Sequence, residues 1–231
     1  MIWPRFGSSE PRFADRADAG RRLAEKLAHL ADADTVVLGL PRGGVAVAYE
    51  VAKALDAPLD VVVARKLGAP HQPELAIGAI APGVAVLRAE LIEVLGIPNE
   101  AVARIAEQER ARAADLETRL RRGRPASEVA GRTAIVVDDG LATGATATAA
   151  VRSVRRRGPA RVVLAVPVAA PESLADLESE VDEAITVIRP RDMHAVGMWY
   201  EEFPQLTDEE VEAMLDERAA AAGATRRAAG R

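Results

Sequence analysis

The chain predicts an α/β fold in which helices flank a parallel, twisted sheet. Three observations lead there. Short runs rich in Val, Ile and Leu recur at residues 35–40, 59–64, 133–137, 160–168 and within 181–188, at the length of buried parallel strands. Stretches with helical spacing separate most of them, and strand–helix–strand units in succession require a parallel sheet with right-handed crossovers. The length, 231 residues, suits one sizeable core, so residues 1–231 read as a single domain.

Composition narrows the classes. At 49% hydrophobic and 28% charged, the chain has an ordinary soluble composition. No apolar run reaches membrane-spanning length, and the basic-then-apolar order of a signal peptide is not seen, so no membrane partner is expected. The absence of cysteine removes disulfides, zinc–thiolate sites and thiol nucleophiles, and suits a cytoplasmic protein. A net charge of −5 argues against a general nucleic-acid surface while leaving room for a local basic patch.

Taken in order, residues 1–12 lack periodicity and read as an irregular arm. Phe13, Asp15 and Arg16 mark a helix start, and Ala19, Leu23, Leu27 and Leu30 form the apolar stripe of a helix over residues 14–31. The strand at 35–40 runs into Pro41-Arg42-Gly43-Gly44 and then a helix over 45–55. Arg42 offers paired hydrogen bonds to phosphate oxygens, while Gly43 and Gly44 let the backbone turn tightly and approach a ligand. A glycine turn with a solvent-facing Arg is the plain alternative.

The strand at 59–64 ends in Arg65 and Lys66. Ligands of open parallel sheets bind beyond the carboxyl ends of strands, so this basic pair points at a site; a solvated strand cap is the alternative. Residues 67–74, with two prolines and a glycine, read as a loop. Strands at 75–80 and 84–87 form a hairpin through Ala81, Pro82 and Gly83. Residues 89–123 are mostly helical with a break at 96–98, and 100–122 has the charge alternation of an exposed, ion-paired helix. Its Arg119, Arg121, Arg122 and Arg124 read as a charged helix end, with an anion contact as the alternative.

Residues 133–146, Thr-Ala-Ile-Val-Val-Asp-Asp-Gly-Leu-Ala-Thr-Gly-Ala-Thr, organise the rest. A buried strand leads to Asp138 and Asp139, then to a loop of small residues, then to a helix reaching about Arg157. Free N–H groups and the positive dipole end at a helix start favour a phosphate. Ala142, Thr143, Gly144, Ala145 and Thr146 are all small enough for close approach, and Thr143 is a candidate helix cap. Two carboxylates there would repel a bare anion, but they suit a phosphate ester that also presents hydroxyls. A Walker loop fails because Ala145 stands where its Lys belongs, and the dinucleotide fingerprint fails because only Gly140 and Gly144 are present.

A strand at 160–168, a helix from Ala170, and the last parallel strand within 181–188 follow. Thr207-Asp-Glu-Glu210 is a helix N-terminus, with Val211 and Leu215 on one face. Trp199 and Tyr200 read as packing residues. The tail at 219–231 is Ala/Arg-rich and is expected to fray. His29, His71 and His194 are isolated from one another, so no metal cluster or metal-dependent phosphohydrolase is indicated.

The 133–146 stretch closely resembles the phosphoribosyl-pyrophosphate (PRPP) motif of the type I phosphoribosyltransferases, and the likeness extends over about residues 13–216. It resembles most an uncharacterised branch in which charged helices precede that strand. The resemblance implies the family's fold, with a mobile loop or hairpin after the second strand and a C-terminal hood over 189–216. It implies transfer of a 5-phosphoribosyl group from PRPP to a nitrogen acceptor, by family habit a nucleobase, or the reverse, with Mg²⁺ and as a homodimer.

By resemblance, residues 142–146 hold the 5-phosphate, and Asp138 and Asp139 the ribose hydroxyls. Arg42, Gly43, Gly44, Arg65 and Lys66 meet pyrophosphate, with Lys66 the favoured cation. Asp138, Asp139 and Lys66 are the catalytic candidates. No residue is assigned as a direct metal ligand; Mg²⁺ would be held by PRPP oxygens and water. His71 and Glu74 are candidates to enter the site on loop closure, or are plain exposed residues. Met193, Val196 and Gly197 fall in the acceptor hood; the Val-Gly pair matches, but Met193 stands where an aromatic is expected. That departure keeps a second expectation in play, a PRPP- or nucleotide-sensing protein without turnover.

Overall fold

The structure is a computed structural model describing residues 12–31 and 34–229, with side chains to residue 222. The arm expected over 1–12 lies outside the described residues except for Arg12. The elements run α1 (Arg16–Leu27), β1 (Thr35–Gly39), α2 (Gly43–Ala54), β2 (Leu59–Val61), β3 (Arg65–Ala69), β4 (Gln72–Ala81) and β5 (Val84–Leu87). Then come α3 (Ala89–Val94), α4 (Asn99–Arg121), β6 (Thr133–Val137), α5 (Ala145–Arg155), β7 (Arg161–Val168), α6 (Pro171–Glu178), β8 (Glu183–Ile188) and α7 (Asp208–Ala229). Asp15 caps α1 by accepting from the Asp18 N–H, as a helix start there requires. No helix among the described residues is long and apolar enough to cross a membrane.

The main sheet has the order β2-β1-β6-β7-β8, and every neighbouring pair is parallel. Because strand side chains alternate, each strand supplies both faces. Val37, Ile135, Val137 and Val163 pack on one side with α1, α2 and α7 residues such as Leu23, Val51 and Leu215. Val36, Leu38, Val136 and Leu164 pack on the other with Val151, Val154, Leu174 and Leu177 of α5 and α6. The chain leaves β1 toward β2 and leaves β6 toward β7, in opposite directions. The crevice of an open α/β sheet forms at such a switch point, beyond the carboxyl ends of the strands.

One expectation is overturned. Residues 67–74 are not a loop: β3 and β4 form an antiparallel hairpin turning at Pro70 and His71, and β5 completes a three-stranded sheet. The prolines and glycine that suggested a loop sit in an irregular ladder with register shifts on both sides of Gly68. A Cβ on Gly68 would lie 2.4 Å from the Pro73 carbonyl oxygen, so the missing side chain lets the strands cross closely. Val102, Ala106 and Ala113 of α4 cover this hairpin together with Leu67, Ile77 and Ile80. The strand expected to reach residue 64 stops at Val61.

The hood closes on the opposite end of the chain. Phe13 pairs with Tyr200 as a parallel bridge, its N–H donating to the Trp199 carbonyl at 2.9 Å and its carbonyl accepting from Glu201 N–H at 2.9 Å. Phe13, Ile188, Trp199 and Tyr200 form a small buried cluster with Met193, Val196 and Phe203 against it. Trp199 and Tyr200 are therefore packing residues, as their sequence context suggested. The helix α7 continues to Ala229, so the backbone of the stretch expected to fray is helical that far, in keeping with the high helix propensity of its alanines.

Candidate functional site

The switch point brings the two marked segments together. Leu40 N–H donates to the Val137 carbonyl at 2.9 Å, so the chain leaves β1 and β6 side by side. Beyond them, the start of α2 lies against Asp138 and Asp139. Gly43 and Gly44 are the first two residues of α2 rather than turn residues ahead of it. A Cβ on Gly43 would fall 1.9 Å from Asp139 Oδ2, and one on Gly44 would fall 2.8 Å from Asp138 Cα. Their missing side chains make room for the acidic pair. The peptide between Pro41 and Arg42 is cis.

Asp139 is held from three sides. Its Oδ2 accepts from Arg16 Nε at 2.9 Å, and its carbonyl accepts from the Tyr200 hydroxyl at 2.6 Å. Its own N–H donates to Asp138 Oδ1 at 2.9 Å. Arg16 also donates to the Pro204 carbonyl at 2.7 Å, and its guanidinium carbon lies 3.7 Å from the Phe203 ring centre. One arginine thus ties the first turn of α1 to the acidic pair and the hood.

Burial pushes Asp138 well above the usual carboxylate range, and the charge of Asp139 adds to that. The Asp139 N–H, Arg16 and Lys66 pull the other way without overcoming it. Burial also raises Asp139, but Arg16 opposes the rise directly, so Asp139 is the member more readily ionised. Tyr200 is raised by burial first and by Asp139 second, which keeps its hydroxyl a donor.

The small-residue loop after β6 ends at Gly144, the N-cap of α5, whose φ of 74° is a backbone state that glycine adopts freely. Thr143 therefore does not cap the helix; it is exposed, and the cap makes no side-chain hydrogen bond. The first helical bond runs from Thr148 N–H to the Gly144 carbonyl at 2.8 Å. The N–H groups of Ala145, Thr146 and Ala147 ahead of it have no acceptor within the helix, the arrangement that takes an anion. Ser173 steadies the loop by donating to the Ala142 carbonyl at 2.5 Å.

The other expected residues make the following contacts. Arg42 turns away to α7, with Nε 3.0 Å from Asp208 Oδ1 and a hydrogen bond to the Leu206 carbonyl at 3.0 Å. Arg65 is paired with Glu109 of α4. Lys66 is exposed at the start of β3, near enough for its charge to act on Asp138. His71 and Glu74 are exposed at the tip and first residues of the β3–β4 hairpin. Met193 is half-buried against the hood cluster, Val196 covers Gly140, and Gly197 makes room for Phe203.

Arg16, Tyr200 and Phe203 were not read as site residues from the sequence. Arg16 carried a usable signal, since a cation in the first turn of a helix opposes the dipole and calls for a compensating carboxylate. Among the described residues, no three His, Cys, Asp or Glu side chains gather as a metal cage.

The sequence matches the phosphoribosyl transferase domain family over residues 13–199. Two proteins of Mycobacterium tuberculosis, from strains CDC 1551 and H37Rv, are named only provisionally as phosphoribosyl transferases. Each is 47% identical over 205 residues, 88% of this chain and 46% of its own length. The chain thus spans about half the length of these relatives. The crystal structure of TT1426 from Thermus thermophilus is similar at 46% identity and a TM-score of 0.75, covering 89% of this chain and 98% of that one.

Proposed function

This chain belongs to the phosphoribosyl transferase family, and on that premise we propose that it transfers the 5-phosphoribosyl group of PRPP to a nitrogen acceptor, releasing pyrophosphate, or runs the reverse reaction. The observation that carries this reading is the meeting of Asp138 and Asp139 with the glycine start of α2 at the sheet's switch point. The α5 start, residues 142–146, takes the 5-phosphate. Asp138 and Asp139 accept from the ribose hydroxyls. The backbone at Gly43 and Gly44, with Lys66, receives the pyrophosphate.

Catalysis on these residues is positioning together with stabilisation of charge on the leaving group and the cationic sugar. Arg16 orients Asp139, and Tyr200 fixes its backbone. The donor set suits Mg²⁺, which accepts one or two carboxylates beside phosphate oxygens and water rather than a protein cage. Asp139, the more readily ionised of the two and steadied by Arg16, is the carboxylate that would support the ion. When bound, that ion supplies neutralisation of the departing pyrophosphate.

A second reading, a PRPP sensor without turnover, is favoured by Met193, which packs against the hood cluster where a ring would face the acceptor. Titration calorimetry with PRPP and Mg²⁺, followed by a pyrophosphate-release screen over free bases and amines, separates the two. Binding with release supports the transferase; binding with no release over the panel supports the sensor. Asp138→Asn with Asp139→Asn should weaken PRPP binding by about 100-fold or more, since hydrogen bonds to a charged group are worth about 1.5–3 kcal/mol each. Unchanged affinity in that folded double variant would refute both readings.

A further inference from the structure

A cleft of about 300 Å³ opens over β2, the edge strand of the main sheet, between the end of α4 and the middle of α7. Pro58 and Leu59 place it at the amino end of β2, whereas the crevice of Asp138 and Asp139 lies beyond the carboxyl ends of β1 and β6. Pro125, Leu215, Ala219 and Ala222 add apolar wall. The reaction proposed above uses none of these residues.

The charged groups on the wall are Arg121, Arg124, Arg218 and Asp60. All but Arg218 are spent within the protein. Asp60 Oδ1 accepts from Val61 N–H at 2.7 Å and from Arg121 Nε at 2.9 Å, and its Oδ2 accepts from Ser127 N–H at 2.7 Å. Arg121 Nη2 reaches the Val61 carbonyl and Glu117 Oε1, each at 3.0 Å. Arg124 gives Nε and Nη2 to the carbonyls of Arg121 and Leu120, and Nη1 to Asp216 Oδ1 at 2.6 Å. Arg218 differs. Its side chain is only 8% exposed, yet its hydrogen bonds among the described residues all run from Nη2, to the Ala57 carbonyl at 2.9 Å and Asp56 Oδ1 at 3.3 Å. Asp56 is 66% exposed, so it is a weak counter-charge. The buried Arg218 Nε has no acceptor among the described residues.

A buried cation needs a counter-charge and acceptors for its N–H groups, and an unmet group of this kind calls for a partner. An anion that reaches Arg218 from the cleft supplies both. The rest of the cleft limits what that anion is. One guanidinium with an unused donor edge suits one planar carboxylate, whose two oxygens match the forked N–H groups. The charge of Asp60 on the same wall disfavours a doubly charged head. The apolar wall takes a hydrocarbon or ring body, and the volume is at the small end for ligand sites.

We propose that this cleft is a binding site for a small organic monocarboxylate, its carboxylate on Arg218 and its apolar body against Leu59, Pro125 and Leu215.

The test is calorimetric titration of the full chain with benzoate and hexanoate, beside the uncharged benzamide and hexanamide. The wild type should bind at least one acid about tenfold or more tightly than its amide. Arg218→Gln should lose that preference. Because Arg218 is buried, a second variant keeps the test decisive: Ala219→Leu retains the arginine and fills the cleft from its α7 rim, and should lose the acid about tenfold or more in a folded protein. Asp138→Asn with Asp139→Asn should bind the acid as the wild type does, which separates this cleft from the PRPP crevice. No binding of either acid by the wild type, or equal affinity for acid and amide, overturns the proposal. So does wild-type affinity in either cleft variant, or loss of the acid in the Asp138 and Asp139 pair.

Discussion

Asp138 shows what a single buried carboxylate costs and what it gains. Its acid form is favoured in the folded chain, because burial and the neighbouring Asp139 charge penalise ionisation. An acid with a raised folded-state pKa binds its proton more tightly folded than unfolded. The stability it contributes is full below the ordinary carboxylate range and is lost as pH rises through the folded value. Asp138→Asn should therefore raise the melting temperature at neutral pH, by roughly 2–4 °C for each kcal/mol recovered. The gain should vanish near pH 3, where the native acid is protonated in both states; thermal melts at the two pH values check the sign. A gain of equal size at both would mean that burial of the charge is not its source. Gly43 carries the matching lesson about legibility. The doublet at 43–44 reads plainly as a marked position, but its use, yielding space to Asp139 rather than bending the chain, depends on a neighbour 96 residues away.

Elements built from local signals were legible, and those set by tertiary partners were not. The start of α7 is the clearest case of the first kind. Thr207 N–H donates to Glu210 Oε2 at 2.8 Å, and Glu210 N–H donates to Thr207 Oγ1 at 3.2 Å, the reciprocal pair that Thr-Asp-Glu-Glu spells out. Thr207→Ala should cost about 1 kcal/mol in a denaturant melt, and Thr207→Ser much less. The β3–β4 hairpin is the opposite case. Its ladder is broken at Gly68, and its hydrophobic face is completed by α4, so neither strand shows its period in the sequence alone. Likewise α5 follows the small-residue loop as expected, yet its cap is Gly144 and not Thr143, because the backbone there turns into a left-handed state that only the fold demands. The charged face of α4 was legible as ion-paired; that Glu109 also takes Arg65 depends on where β3 docks, and that Asp208 takes Arg42 and Arg119 depends on where α7 docks.

At the scale of the whole molecule, the two flanks of the domain close on each other around the site. Phe13, just ahead of α1, is fully buried in the hood cluster and paired through its backbone with residues 199–201. Arg16, one turn on, reaches the acidic pair and the hood together. Phe13→Ala should destabilise the domain by about 3–5 kcal/mol, the range for removing a buried aromatic, with the loss read in a denaturant melt. It should also expose the hood amides to hydrogen exchange before those of the central sheet. The sheet and its switch point were legible because parallel strands announce themselves in runs of Val, Ile and Leu. The joining of residues 13 and 200 was not, since neither segment has a pattern that names the other. The same closure has an optical consequence. Trp199 is buried within the hood while the chain's other tryptophan is Trp3, so a Trp3→Phe protein has one indole, sealed beside Phe13 and Tyr200. Its emission should be blue when the hood is packed and shift red when the hood lifts, turning the lid into its own fluorophore.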